Sequence, residues 1–119
     1  MKLSVFGAGY VGLVTAACFA ELGNEVLACD IDERKVAALR GGAIPIYEPG
    51  LEEVVKRTAA AGRLKFTTDP AEAATFGEIL FIAVGTPSLA DGSPDLQYVR
   101  SAVASAAEHL AASRTVIVM

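Results

Sequence analysis

A glycine-rich turn near the start of the chain constrains the fold more than any other feature. An apolar run at residues 3–6 predicts a buried strand, and the sequence Gly-Ala-Gly-Tyr-Val-Gly follows it directly at residues 7–12. A helical pattern then extends to about residue 22, and a second apolar run at residues 25–29 ends on Asp30. Strand, glycines, helix, strand and terminal acid thus occur in the order and spacing of a dinucleotide-binding βαβ unit.

Each of the three glycines has a distinct physical role in such a unit. Gly7 permits the tight turn off the strand, Gly9 lets a pyrophosphate approach the backbone, and Gly12 lets the helix pack closely against the strand. The helix N-terminus offers free N–H groups and a positive dipole end to phosphates, and Asp30 is placed to accept hydrogen bonds from an adenosine ribose. We therefore predict a dinucleotide site. The alternative is a βαβ unit that only packs its helix tightly.

Length and charge narrow the class of protein further. The chain has 119 residues, of which 53% are hydrophobic and 20% charged, which favours one domain with a buried α/β core and is short for a two-domain enzyme. The net charge is −4 and no basic stripe is present, which argues against nucleic acid as a partner. An anionic dinucleotide can still bind, because backbone amides supply the local positive field.

The two cysteines, Cys18 and Cys29, show neither metal-ligand spacing nor a disulfide framework, so we predict buried free thiols in a reducing cytoplasm and no metal site. The apolar stretch after Lys2 resembles a secretory signal. The glycine spacing and Asp30 explain the same residues better, so we expect a cytoplasmic protein without a membrane span. His109 is expected on the surface of a late helix, with no catalytic role.

The rest of the chain alternates helical and apolar segments. This alternation predicts an α/β fold with a doubly wound, Rossmann-like parallel sheet in the order 3-2-1-4-5, truncated after the fifth strand. Ligands of such sheets bind beyond the carboxyl ends of strands one and four, so residues 7–12, Asp30 and residues 85–88 should share one rim. The further predicted elements are helices near 33–39, 51–61, 70–77 and 94–112, strands at 63–68, 79–84 and 114–118, and an irregular segment at 43–50.

Residues after the second strand bear on the choice between NAD and NADP. Asp30 occupies the strand end and would repel a 2′-phosphate, whereas the basic pair Arg34 and Lys35 could accept one. Because the acid holds the strand-end position itself, we favour NAD. Lys35 either lies over the adenosine end of the cofactor or is a solvated lysine on the helix face.

Four stretches together resemble a known family. Residues 7–13, the sequence Asp-Ile-Asp at 30–32 with Lys35, the Tyr-Glu-Pro-Gly-Leu loop at 47–51 and the Val-Gly-Thr-Pro turn at 84–87 look like the N-terminal domain of the UDP-glucose/GDP-mannose dehydrogenases. The resemblance covers nearly the whole chain. The glycine fingerprint is shared by many families, whereas the loop and the turn in combination are much more specific.

The resemblance implies an NAD-dependent enzyme that oxidises the C6 alcohol of UDP-glucose, or of a related sugar nucleotide, to the carboxylate. Two NAD would accept two hydrides, through a thioester-type intermediate on a cysteine. In this resemblance Val11 contacts the pyrophosphate, Asp30 and Lys35 hold the adenosine ribose, and Thr86 lies near the nicotinamide half. The implied cofactor-binding residues are Gly7, Gly9, Tyr10, Val11, Gly12, Asp30, Lys35, Gly85, Thr86 and Pro87.

The family's nucleophilic cysteine, its catalytic lysine and asparagine, its central helix and its sugar-nucleotide domain correspond to positions beyond residue 119. Neither Cys18 nor Cys29 matches that nucleophile. We therefore expect residues 1–119 to be an NAD-binding domain without catalytic residues and inactive alone. The nucleotide sugar would bind through the missing domain, and the full-length protein would be a homodimer.

Two other functions stay open at this point. One is the cofactor domain of another NAD-linked dehydrogenase, of the hydroxyacyl-CoA or 6-phosphogluconate type. Such a domain has no reason to carry both the Glu48-Pro49-Gly50-Leu51 loop and the Gly85-Thr86-Pro87 turn. The other is a non-catalytic nucleotide-sensing module, which needs no substrate-facing loop such as residues 43–50.

Overall fold

A five-stranded parallel sheet forms the centre of the molecule. The computed structural model describes residues 1–108 and the backbone of residues 116–118, so His109 lies outside the described residues. The strand order is β3-β2-β1-β4-β5, and every neighbouring pair is parallel, which confirms the predicted doubly wound topology. The strands are β1 (Lys2–Phe6), β2 (Glu25–Cys29), β3 (Leu64–Thr67), β4 (Ile79–Ile82) and β5 (Val116–Val118).

Helices cover both faces of this sheet. The described helices are α1 (Tyr10–Glu21), α2 (Glu33–Arg40), α3 (Leu51–Ala60), α4 (Pro70–Phe76) and α5 (Gln97–Glu108). Leu3 and Val5 of β1 point into a core shared with α1, α2 and α3, whereas Phe6 points into a second core with α4 and α5. The alternation of side chains along β1 therefore divides the helices between two layers, as in a doubly wound fold.

Two boundaries differ from those predicted from the sequence. β4 ends at Ile82 instead of residue 84, because its partner β1 stops where Gly7 turns away and the pairing closes with Ala83 N donating to Phe6 O at 2.7 Å. α5 begins at Gln97 instead of near residue 94. The Asp95 carboxylate, two residues before Gln97, accepts a hydrogen bond from Gln97 N at 3.0 Å and so satisfies the first N–H group of the helix.

The prediction that both cysteines are buried is wrong for Cys18. Cys29 is buried at the end of β2, but Cys18 is exposed. α1 buries the face that carries Leu13, Ala16 and Ala17, and Cys18 lies off that face. Among the helices that the structure describes, none combines the length and the apolar character needed to cross a bilayer.

Candidate dinucleotide site

The turn after β1 requires glycine at two positions for steric reasons. Gly7 has φ +102°, and a Cβ there would lie 2.6 Å from Ala83 O. A Cβ on Gly12 would collide with the carbonyl oxygen of Gly7 itself. The start of α1 thus packs directly on the turn that precedes it. This agrees with the predicted roles of both glycines, although the close contact of Gly12 is with the turn and not with the strand.

Gly9 behaves differently from its two neighbours. Among the residues that the structure describes, nothing lies within 4 Å of a Cβ built at Gly9, so internal packing does not require glycine there. Gly9 is the N-cap of α1 and carries no side chain to satisfy the first N–H groups of the helix. The open backbone at the positive end of α1 is therefore shaped to accept a phosphate.

Asp30 is held rigidly beside this turn. Its Oδ2 accepts hydrogen bonds from Ala8 N at 2.9 Å and from Lys35 Nζ at 3.4 Å, and its Oδ1 accepts one from Asp32 N at 2.9 Å. The side chain is 11% exposed, compared with 31% for Lys35. The link from Asp30 to the glycine turn was not predicted from the sequence, because it joins a side chain to a backbone amide 22 residues away.

A cavity of about 460 Å³ opens at the carboxyl ends of β1, β2 and β4. Five predicted cofactor-binding residues line it: Gly7, Asp30, Lys35, Gly85 and Pro87. This is the crevice expected at the point where the strand order reverses, so the predicted convergence of three separate stretches on one rim is confirmed.

The other five predicted residues lie beside the cavity lining. Tyr10 and Val11 are 53% and 64% exposed at the start of α1, and Thr86 is exposed between two lining residues. Gly9 is half-buried in the open turn, and Gly12 is buried beneath it. Four of these residues thus lie in the turn and at the start of α1, whereas Thr86 belongs to the turn after β4.

One wall of the cavity was not predicted from the sequence. It is the face of α5 that carries Tyr98, Ser101, Ala102 and Ser105. Their spacing of three and four residues was a usable signal for a single helix face. The helix is rich in alanine, which is common in helices of any function, so its composition did not indicate a binding face. The remaining lining residues are Phe6, Cys29, Ile31, Asp32, Pro70 and Val84.

The Cys29 thiol contributes no reactive group to this cavity. Burial raises its pKa to about 12, and the negative charges of Asp30, Asp69 and Glu72 add to the effect. A thiol with such a pKa stays protonated at neutral pH and is a poor nucleophile. Cys29 therefore serves as a buried packing residue at the end of β2.

A side-chain contact joins α1 to the irregular segment at residues 43–50. Tyr10 Oη donates a hydrogen bond to Glu48 Oε2 at 2.7 Å. This bond and the charge of Glu48 raise the pKa of the Tyr10 phenol above its usual value, with a smaller effect of burial. The phenol and the carboxylate therefore form a pair in the neutral pH range, with the hydroxyl as donor.

The turn, the acid at the end of β2 and the crevice define a dinucleotide-binding domain. Over residues 1–119 the chain matches the model of the UDP-glucose/GDP-mannose dehydrogenase family, NAD binding domain, and it belongs to that family. The family match also identifies NAD as the cofactor. The open backbone at Gly9 and the fixed carboxylate of Asp30 fit NAD.

Individual relatives support the same assignment. The chain is similar to UDP-glucose 6-dehydrogenase of Pseudomonas aeruginosa (57% identical over 99 residues, 83% of this chain) and to UDP-glucose 6-dehydrogenase TuaD of Bacillus subtilis (47% over 116 residues, 98% of this chain). It superimposes on the crystal structure of GDP-mannose dehydrogenase from P. aeruginosa with a TM-score of 0.86 and 40% identity over 89% of this chain. The chain spans only 22%, 25% and 24% of these three proteins.

Proposed function

We propose that residues 1–119 are the NAD-binding domain of an enzyme that oxidises the C6 alcohol of UDP-glucose, or of a related sugar nucleotide, to the carboxylate with two NAD. The observation that carries the proposal is the convergence of the glycine turn, Asp30 and the turn at residues 85–87 on one crevice. The similarity to UDP-glucose 6-dehydrogenases favours UDP-glucose, and the similarity to GDP-mannose dehydrogenase supports a related substrate.

In this proposal each part of the site has a separate task. The N–H groups at Tyr10 and Val11 bind the diphosphate, and Asp30 accepts hydrogen bonds from the adenosine ribose. Lys35 lies beside Asp30, 3.4 Å from its carboxylate, and would contact the same ribose. Thr86 lies beside the nicotinamide half, with Gly85 and Pro87 shaping the wall. NAD supplies the hydride acceptor, and this domain holds it in position.

Further parts of the proposal concern the whole protein. The nucleotide sugar binds in a separate domain, and the full-length protein is a homodimer. We place it in the cytoplasm, because Cys18 and Cys29 are free thiols, as expected in a reducing compartment.

The first prediction separates binding from turnover. The purified 119-residue chain should bind NAD but form no NADH with UDP-glucose, because the resemblance to the family places the catalytic cysteine, lysine and asparagine at positions beyond residue 119. Calorimetric titration measures binding, and absorbance of NADH measures turnover, with GDP-mannose as a parallel substrate. NADH formation by this chain above the blank would show that the catalytic groups lie within residues 1–119.

The second prediction concerns the charge of Asp30. The native chain should bind NAD more tightly than NADP by about tenfold or more, since a hydrogen bond to a charged group contributes about 1.5–3 kcal/mol and the carboxylate repels a 2′-phosphate. Asp30→Asn should weaken NAD binding and reduce the preference. The matched control is Glu33→Gln, which removes the same charge from an exposed position three residues away. Tighter binding of NADP by the native chain would contradict the role of Asp30.

A further inference from the structure

The contact between Tyr10 and Glu48 has no role in the function proposed above. It joins residues 38 positions apart, and its two ends lie on parts of the molecule with different tasks. Tyr10 is the first residue of α1, directly after the open backbone of Gly9. Glu48 belongs to an irregular segment that contributes no residue to the dinucleotide cavity.

The segment at residues 43–50 is an irregular strap along the surface, with a bend at residues 45–46 and a turn at residues 49–50. Ile44, Ile46 and Glu48 are half-buried, and the residues between them are exposed. The two isoleucines pack against the core that includes α1 and α3, whereas Tyr47 is 93% exposed. Because every second residue is half-buried, the Glu48 side chain lies on the same side of the strap as the two isoleucines and faces the body of the domain.

Glu48 also fixes the junction between the strap and α3. Its backbone carbonyl accepts a hydrogen bond from Leu51 N at 3.1 Å, at the residue where α3 begins. Gly50 turns the chain into the helix with φ +82°, a conformation that favours glycine. One residue thus connects α3 through its main chain to α1 through its side chain. A displacement of Glu48 would move the strap and the start of α3 together.

We infer that Tyr10 and Glu48 are positioning residues that hold the strap against the diphosphate-binding end of α1 and thereby slow the release of NAD. The inference rests on the proposed role of the α1 N-terminus in binding the diphosphate. A phenol donating to a carboxylate at 2.7 Å is a charge-assisted hydrogen bond, which is stronger than one between neutral groups. It fixes the Tyr10 ring beside the backbone that receives the phosphates.

The charge of Glu48 should weaken NAD binding, whereas its hydrogen bond to Tyr10 should strengthen it. The test must separate these two effects. A carboxylate near the N-terminus of α1 repels the phosphates of the cofactor, since both are negative. If repulsion dominates, removing the charge tightens NAD binding. If positioning dominates, removing the hydrogen bond weakens binding. Glu48→Gln removes the charge and keeps an oxygen acceptor for Tyr10, whereas Glu48→Ala removes both.

The experiment uses the 119-residue chain and four variants: Tyr10→Phe, Glu48→Ala, Glu48→Gln and the double variant Tyr10→Phe/Glu48→Ala. The dissociation rate of NADH is measured by stopped-flow fluorescence, and hydrogen exchange is measured at residues 44–50 without nucleotide. We expect Tyr10→Phe and Glu48→Ala each to raise the dissociation rate about fivefold, the effect of losing one hydrogen bond of about 1 kcal/mol.

Non-additivity identifies the pair as one unit. The double variant should release NADH no faster than either single variant, because each substitution breaks the same bond. Glu48→Gln should restore most of the native rate. Exchange at residues 44–50 should be faster in Glu48→Ala without any nucleotide. The matched controls Tyr47→Phe and Glu53→Ala remove the same groups from exposed neighbours and should leave the rate and the exchange unchanged.

The outcomes distinguish failure of the inference from failure of the proposed function. If the native chain does not bind NADH, the proposed function fails and the inference fails with it. If the native chain binds NADH and the variants match it in rate and exchange, the inference alone is overturned. Additive effects in the double variant, or tighter binding by Glu48→Gln, would also overturn it.

Discussion

The glycine turn at residues 7–12 and the strap at residues 43–50 flank the same end of α1, but different forces hold them. The turn is fixed by backbone contacts: Gly7 N donates to Cys29 O at 2.7 Å, and Gly12 packs directly on Gly7. The strap has main-chain hydrogen bonds at its two ends, from Ala43 N to Ala38 O and from Leu51 N to Glu48 O. Between these ends it is held by partly buried isoleucines and by the exposed hydrogen bond from Tyr10 to Glu48. A substitution that requires the backbone to move should therefore lower the free energy of unfolding more in the turn than in the strap.

The difference shows what each region is able to do. Main-chain contacts fix the backbone groups of the turn, so in the proposed function the turn would be pre-organised for a phosphate and would not need to move when one binds. Between its two ends the strap is held by side chains whose contacts can break one at a time, so the position of this middle part can respond to the cofactor or to pH. A rigid turn and an adjustable strap thus meet at the start of α1.

The largest effect on stability is expected for Gly12→Ala, in the rigid turn. The new Cβ would meet the backbone oxygen of Gly7, which no side-chain rotation can relieve. Over-packing of this kind costs about 1–3 kcal/mol and occasionally more, so the free energy of unfolding in urea should fall by at least that range. An unchanged unfolding midpoint would show that α1 can shift away from the turn.

Gly9→Ala is the matched control, with the same added methyl group at the position next to the turn. Because the structure describes no atom within 4 Å of that Cβ, the free energy of unfolding should stay within about 1 kcal/mol of the native value. NAD affinity should nevertheless fall by about tenfold or more, since the methyl group stands where the diphosphate approaches. If Gly9→Ala and the native chain bind NAD with equal affinity, the phosphates do not bind at Gly9.

The sequence was sufficient to predict the topology and five of the fifteen residues that line the cavity. Strand order and the crevice between β1 and β4 follow from apolar periodicity and the right-handed crossover, which depend on local patterns. Glycine roles at positions 7 and 12 follow from backbone geometry that other residues cannot adopt without a clash. Such features restrict which residue types can occupy a position, so they can be recognised in the sequence.

The parts that were missed depend on contacts between distant residues. The bond from Ala8 N to Asp30 and the bond from Tyr10 to Glu48 join residues far apart in the chain. No pattern of neighbouring residues in the sequence indicates either bond. The α5 wall was missed because serine and alanine suit both an exposed face and the wall of a cavity. The alternation of Ile44, Ile46 and Glu48 was readable, but Pro45 and Pro49 within the segment favoured an irregular loop.

The smallest effect is a pH dependence confined to the strap. The Tyr10 pKa is raised, first by its hydrogen bond to Glu48 and then by the charge of Glu48. The hydrogen bond is therefore fully present below the usual tyrosine pKa of about 10 and is lost as the pH rises through the raised value. Exchange at residues 44–50, corrected for its intrinsic dependence on pH, should accelerate over that interval, whereas the glycine turn should show no such step.

Glu48→Gln tests the cause of this step. Without the carboxylate the Tyr10 pKa should fall back toward its usual value, so the ionisation of Tyr10, followed by the ring-carbon chemical shifts of labelled tyrosine, should occur at lower pH. The signals of Tyr47 and Tyr98 in the same spectra serve as internal references, because neither phenol is hydrogen-bonded to Glu48 in the part of the chain that the structure describes. An unmoved Tyr10 titration in Glu48→Gln would mean that the bond between α1 and the strap does not persist in solution, and that the isoleucines and the main-chain bonds at its ends hold the strap without it.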